Sequence, residues 1–179
     1  MQTVPHINVD TDKYYLYPGK IFSSKEPHIV DTILGSCIAV FLWDPVLRIG
    51  SINHYMLPYA SRESSLSFKY GDIAIAELVT RMLLMGSDKK NIKAKIFGGG
   101  DIAYCNSLFN IGRRNIALAR QMLKAEQIPI ISYSVGGAFG RKVIFNSGSG
   151  IVLISYIKRD IKLLYQQLST SHFNLSEYV

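Results

Sequence analysis

The sequence predicts an α+β fold: a layered single domain with mixed and antiparallel sheets and two main helices. Three observations carry that prediction. Short apolar runs bounded by turn residues open the chain, two segments of helical periodicity follow in its middle, and extended segments return after them. The order lacks the strict strand–helix alternation of a doubly wound sheet, which points to the layered class.

Taken in order, Tyr14–Tyr17 and His28–Leu34 read as extended, and Ile38–Trp43 is an apolar run stopped by Asp44-Pro45, as suits a buried strand. Ile49–Leu57 reads as its neighbour. The short Asp44–Arg48 connection, with Pro45 setting the turn, predicts a hairpin between them. From Asp72 to Met85 the residues Ile75, Leu78, Val79, Met82 and Met85 recur at helical spacing, and Gly86 stands where a helix C-cap is expected. Ile92–Phe97 is a strand ending in Gly98-Gly99-Gly100. A second helix, with Ile116, Ala119, Met122 and Leu123 on one face, runs to about Glu126. Ile128–Val135 resumes extended structure, and Lys142–Phe145 and Ile151–Ile157 flank the turn-forming Asn146-Ser147-Gly148-Ser149-Gly150. Beyond Arg159, Ile161, Leu164, Tyr165 and Leu168 suit a terminal helix. No repeat or linker divides the 179 residues, so residues 1–179 are expected to form one domain with its core at about 15–157 and a helical extension or tail at 158–179.

Composition narrows the function classes. Hydrophobic residues make up 48% of the chain and charged residues 18%, a balance that disordered chains do not reach. The two cysteines, Cys37 and Cys105, show neither CxxC spacing nor a disulfide framework, and both are expected as reduced thiols. The N-terminal stretch lacks an apolar signal core, and no segment reaches the roughly 18 apolar residues of a membrane span. A cytoplasmic monomer without membrane insertion is expected. The net charge of +7 comes from scattered basic residues without aromatic interleaving, which argues against nucleic acid and leaves acidic protein surfaces as partners. The histidines His6, His28, His54 and His172 do not cluster with carboxylates or thiols at metal-ligand spacing.

One constellation carries chemistry. Gly35 and Ser36 stand directly before Cys37 at the start of an apolar strand, where glycine permits a turn that exposes a thiol and aims backbone N–H groups at one point. His54 lies 17 residues on (54 − 37), on the next expected strand, and the hairpin would bring the two near one another. An imidazole that takes the thiol proton creates a nucleophilic thiolate. Taken singly, each residue is as well explained by the core: Cys37 as a small buried side chain, His54 as a strand histidine bonded to a carbonyl.

The residues Leu34-Gly35-Ser36-Cys37, Gly50-Ser51-Ile52-Asn53-His54-Tyr55-Met56-Leu57-Pro58, Lys95-Ile96-Phe97-Gly98-Gly99, Ile111-Gly112-Arg113-Arg114-Asn115 and Gly136-Gly137-Ala138-Phe139-Gly140-Arg141-Lys142-Val143 resemble the successive motifs of the CheD family, the chemoreceptor glutamine deamidases of bacterial chemotaxis. The resemblance spans about residues 15 to 157. It implies a Cys-His-Thr hydrolase in a fold similar to the deamidase domain of cytotoxic necrotizing factor toxins, without a cofactor. Chemoreceptor cytoplasmic helices would be its substrate and a CheC-type phosphatase a further partner. By this resemblance Cys37 attacks a glutamine carboxamide, the N–H groups around Ser36 and Cys37 hold the oxyanion, and His54 moves the protons.

In the family pattern the orienting threonine precedes the cysteine by six positions. Here that position is Asp31, and Thr32 stands five before Cys37. Strand alternation sends the two side chains to opposite faces, so Thr32 and Asp31 are rival partners for His54. Arg113, Arg114 and Arg141 are candidate substrate or partner contacts, and Gly98–Gly100 and Gly136-Gly137 are either plain turns or shapers of the cleft. Cys105 falls outside every motif and is a spare thiol. A glutamyl methylesterase and a non-catalytic adaptor are the competing functional readings.

Overall fold

The computed structural model describes residues 12–61, 67–101 and 110–157. The expected terminal helix beyond Arg159 and the spare thiol Cys105 lie outside them.

Among the described residues nine strands and two α-helices follow in order: β1 (Lys13–Tyr15), β2 (Lys20–Ser24), β3 (Ile29–Leu34), β4 (Ile38–Asp44), β5 (Ile49–His54), α1 (Gly71–Leu84), β6 (Lys93–Gly98), α2 (Ile111–Ala125), β7 (Ile130–Val135), β8 (Gly140–Asn146) and β9 (Val152–Ile157). They build two mixed sheets, one in the order β1-β3-β8-β9 and one in the order β2-β5-β4-β6-β7. This is the α+β class that the sequence predicts.

The burial pattern explains the layers. Residues Ile38 to Leu42 of β4 are buried on both faces, as expected of the middle strand of a covered sheet. Ile38, Val40 and Leu42 pack with Ala74, Ile75, Leu78 and Met82 of α1 and with Ala119 and Leu123 of α2. Ala39 and Phe41, pointing the other way, pack with Val30, Leu34, Val143 and Phe145 of the opposing sheet. Phe41 meets Phe97 and Phe145 edge-on, with ring centroids 5.2 and 5.1 Å apart, a favourable arrangement for aromatic quadrupoles. The five-stranded sheet is thus the middle layer, with helices on one face and the four-stranded sheet on the other.

The hairpin forms where expected. β4 and β5 pair antiparallel, with Phe41 opposite Ile52 and Asp44 opposite Ile49. The Asp44 carboxylate accepts from the N–H groups of Val46 and Leu47 and so shapes the turn. β2 is absent from the sequence expectations. Its residues Lys-Ile-Phe-Ser-Ser form a half-buried edge strand without clear alternation, and pairing with β5 is what extends it.

Candidate active site

Three segments that are distant in the chain deliver Thr32, Cys37 and His54 to the layer between the sheets. In β3, Val30, Thr32 and Leu34 are buried and Ile33 is exposed, so alternation turns Thr32 inward and Asp31 outward. In the hairpin, Ile38 and Tyr55 form a bridge and both belong to the helix-side core. Their neighbours Cys37 and His54 therefore face the other way, toward the four-stranded sheet, and Cys37 packs against the core of that face.

The hydrogen bonds around His54 fix its tautomer. Thr32 Oγ1 donates to the carbonyl of Leu16 at 2.8 Å and lies 2.8 Å from His54 Nδ1. A hydroxyl has one proton; with that proton on the Leu16 carbonyl, Oγ1 can only accept from Nδ1–H. The lone pair is then on Nε2, which is buried and without a hydrogen-bond partner among the described residues. Gly19 N–H donates to the His54 carbonyl at 2.7 Å and holds the backbone. Burial pushes the imidazole down from 6.5 to about 4, so His54 is neutral at physiological pH. Burial likewise pushes the Cys37 thiol up, against a smaller opposing pull from its own backbone N–H. Burial thus favours the neutral form of both side chains.

The bend Gly35–Cys37 is pinned carbonyl by carbonyl. Gly100 N–H donates to Gly35 O at 2.8 Å, Asn115 Nδ2 to Ser36 O at 3.2 Å, and Gly99 N–H to Cys37 O at 2.8 Å. In a trans peptide the N–H points opposite to the C=O, so the Ser36 and Cys37 N–H groups face away from these donors. Neither donates to a described backbone carbonyl, and the Cys37 N–H faces its own thiol. N–H groups so placed beside a thiol can stabilise an oxyanion. The glycines serve this wall: Gly98 and Gly99 have φ of +109° and +66°, and a Cβ on Gly98 would collide with Cys37 O.

The arginines divide. Arg113 and Arg114 are exposed in the first turn of α2, and neither enters an ion pair among the described residues. Arg141, in contrast, is 4% exposed. Its guanidinium donates to Ser134 Oγ, Phe139 O and Gly136 O, and the Tyr156 ring stacks on it. Its donors close the 136–140 loop. This loop borders a cavity of about 500 Å³ between β7 and β9, whose lining includes neither Cys37 nor His54.

Asn115 escaped assignment in the sequence. It occupies a core-facing position of α2, one turn before Leu118 and Ala119, and a polar residue at such a position was the available signal. Among the described residues no group of three or more His, Cys, Asp or Glu side chains could hold a metal ion. No described helix is long and apolar enough to cross a membrane.

Residues 56–156 match the family model described as CheD chemotactic sensory transduction. The chain belongs to the CheD family. It is 34% identical over 153 residues to a protein of Sulfurimonas denitrificans, an alignment that covers 84% of this chain and 98% of that one. It is 40% identical over 143 residues to a protein of Trichlorobacter lovleyi, covering 79% and 89%, and 41% identical over 138 residues to one of Anaeromyxobacter dehalogenans, covering 76% and 80%. The first two are named probable chemoreceptor glutamine deamidase CheD, the third probable chemoreceptor glutamine deamidase CheD 1. The family-model match begins at Met56, two residues beyond His54, and so includes neither Cys37 nor His54.

Proposed function

We propose that the protein is a cysteine-dependent protein-glutamine deamidase that converts glutamine side chains of chemoreceptor cytoplasmic helices to glutamate. The observation that carries this reading is the Thr32–His54 hydrogen bond, which leaves Nε2 as an unengaged base on the sheet face that also carries Cys37. Membership in a family whose relatives are named chemoreceptor glutamine deamidases supplies the substrate class.

In this reading Cys37 Sγ attacks the carboxamide carbon while His54 Nε2 takes the thiol proton. The oxygen becomes negative and is held by the N–H groups of Ser36 and Cys37. The C–N bond breaks, Nε2–H gives its proton to the leaving nitrogen, ammonia departs and a thioester remains. Water then attacks the thioester as Nε2 takes one of its protons. The C–S bond breaks, and the thiolate regains that proton to leave glutamate and the resting pair. Thr32 keeps the ring in the tautomer that each step needs.

The protein works in this reading as a cytoplasmic monomer, with a CheC-type phosphatase as a second partner. The exposed Tyr17, Met56, Leu57 and Tyr59 offer apolar contact beside the site, and Arg113 and Arg114 offer charge for acidic helices. Incubating the protein with a receptor cytoplasmic fragment and mapping Gln-to-Glu mass changes tests the proposal. Conversion by the native protein and none by Cys37→Ala is expected. No conversion, or equal conversion by Cys37→Ala, sinks it, and methanol release from glutamyl methyl esters without deamidation would reassign it as a methylesterase.

A further inference from the structure

We propose that Asn115 is the positioning residue of the oxyanion site: its side-chain amide fixes the Ser36–Cys37 peptide so that the Cys37 N–H meets the oxygen that turns negative on attack. The inference rests on the reading of Cys37 as nucleophile.

Ser36 C=O and Cys37 N–H belong to one peptide unit, so a donor that holds the carbonyl also sets the direction of the N–H. Asn115 Nδ2 is that donor, at 3.2 Å, and it reaches Met56 O at 2.9 Å as well. The two carbonyls also fix the orientation of the amide, since the reverse assignment would set Oδ1 against two oxygens. Met56 closes the segment that begins with His54 and Tyr55. One buried side chain thus ties the bend carrying the thiol to the strand end carrying the base. Asn115 is itself held. It is fully buried, its carbonyl accepts from Tyr55 Oη at 2.6 Å, and one turn earlier Gly112 lets α2 lie against Gly99. An apolar side chain of similar size would fill the volume and leave both carbonyls unpaired. Asn115 Oδ1 is buried without a partner, so the amide is not there to complete a network of its own. Its donors are the part in use.

The test compares two reactions of Cys37. With p-nitrophenyl acetate, Sγ attacks the ester carbonyl, an oxyanion forms, p-nitrophenolate leaves with the electrons of the broken C–O bond, and the acetyl thioester remains. The thiol proton passes to Nε2. With iodoacetamide, Sγ displaces iodide and no oxyanion forms. For Asn115→Ala, and for the isosteric Asn115→Asp, acylation should fall about 10- to 100-fold, the scale of a lost or misaimed oxyanion donor. Alkylation should keep its native rate and pH profile. The rates of Cys37→Ala are subtracted throughout. An equal fall in both reactions, no fall in acylation, absence of native acylation above the Cys37→Ala rate, or failure of both variants to fold would overturn the proposal. The receptor assay separates this inference from the deamidase reading. Native acylation with the expected split but no receptor deamidation removes only that reading, and receptor deamidation that survives Asn115→Ala unchanged removes only the role of Asn115.

Discussion

Thr32 and His54 sit in different sheets and meet at 2.8 Å between Oγ1 and Nδ1, with the threonine proton committed to the Leu16 carbonyl. The contact joins the layers and sets the tautomer of the imidazole in one stroke. Thr32→Val keeps the shape and removes both bonds, leaving buried polar atoms unpaired. A loss of about 1.5–3 kcal/mol in transition-state stabilisation is expected, or about 10- to 100-fold in kcat, with little change in KM. Thr32→Ser should retain most of the rate. Steady-state kinetics on a receptor fragment checks both, and equal loss in the two variants would show that packing, not the hydroxyl, matters.

The buried imidazole predicts an unusual pH dependence. His54 is neutral down to about 4, so kcat/KM should hold through the range where an ordinary histidine is protonated near 6.5, and fall only toward pH 4. Stability follows the same shift. The unfolded chain takes up the proton near 6.5 and the folded one resists until about 4, so stability is full above 6.5 and drains away as pH falls between the two values. The loss is of order 3 kcal/mol at its limit. Urea unfolding at several pH values checks it: His54→Gln should show a flatter dependence between pH 6.5 and 4 than the native protein. Identical slopes would argue against burial of a neutral ring.

Gly112→Ala offers a test by sign. In an open helix this change stabilises by about 1 kcal/mol. Here a Cβ would stand 2.5 Å from Gly99 O, backbone against backbone. α2 must move away from the wall that pins Cys37 O, so destabilisation of about 1–3 kcal/mol is expected, together with reduced activity. Thermal melts and receptor deamidation measure the two effects, and a stabilised, active variant would contradict the close approach.

Arg113 and Arg114 stand at the positive end of α2, where the helix dipole disfavours cations by about 0.3–1 kcal/mol each. The double change to glutamate should therefore raise the melting temperature slightly. It should also raise KM for an acidic receptor fragment, in a manner that added salt diminishes for the native protein. A higher melting temperature with unchanged KM would limit these residues to the solvent.

Local patterns made much of the molecule legible. The spacing of Ile75, Leu78, Val79 and Met82 marks α1 because a helix turns its apolar positions to one side, and Gly86 ends it with φ of +106°. The β4–β5 hairpin follows from two apolar runs and a turn at Asp44-Pro45, and with it the shared face of Cys37 and His54. β2 was not legible, because its few half-buried residues take their form from β5.

By itself, then, the chain determined its class, its helices, its central hairpin and the placement of Cys37 and His54 on one sheet face, all of which depend on residues close in order. Only the tertiary structure decided that Thr32 rather than Asp31 reaches His54, that Arg141 is spent inside a loop, and that Asn115 holds the Ser36 carbonyl. Those outcomes depend on which strand face lands against another layer. β3 finds β8 across more than a hundred residues of chain, and α2 comes to rest behind a bend from which some seventy residues separate it. Such placement is settled by the joint burial of two apolar faces, a property of the folded assembly that no single segment carries.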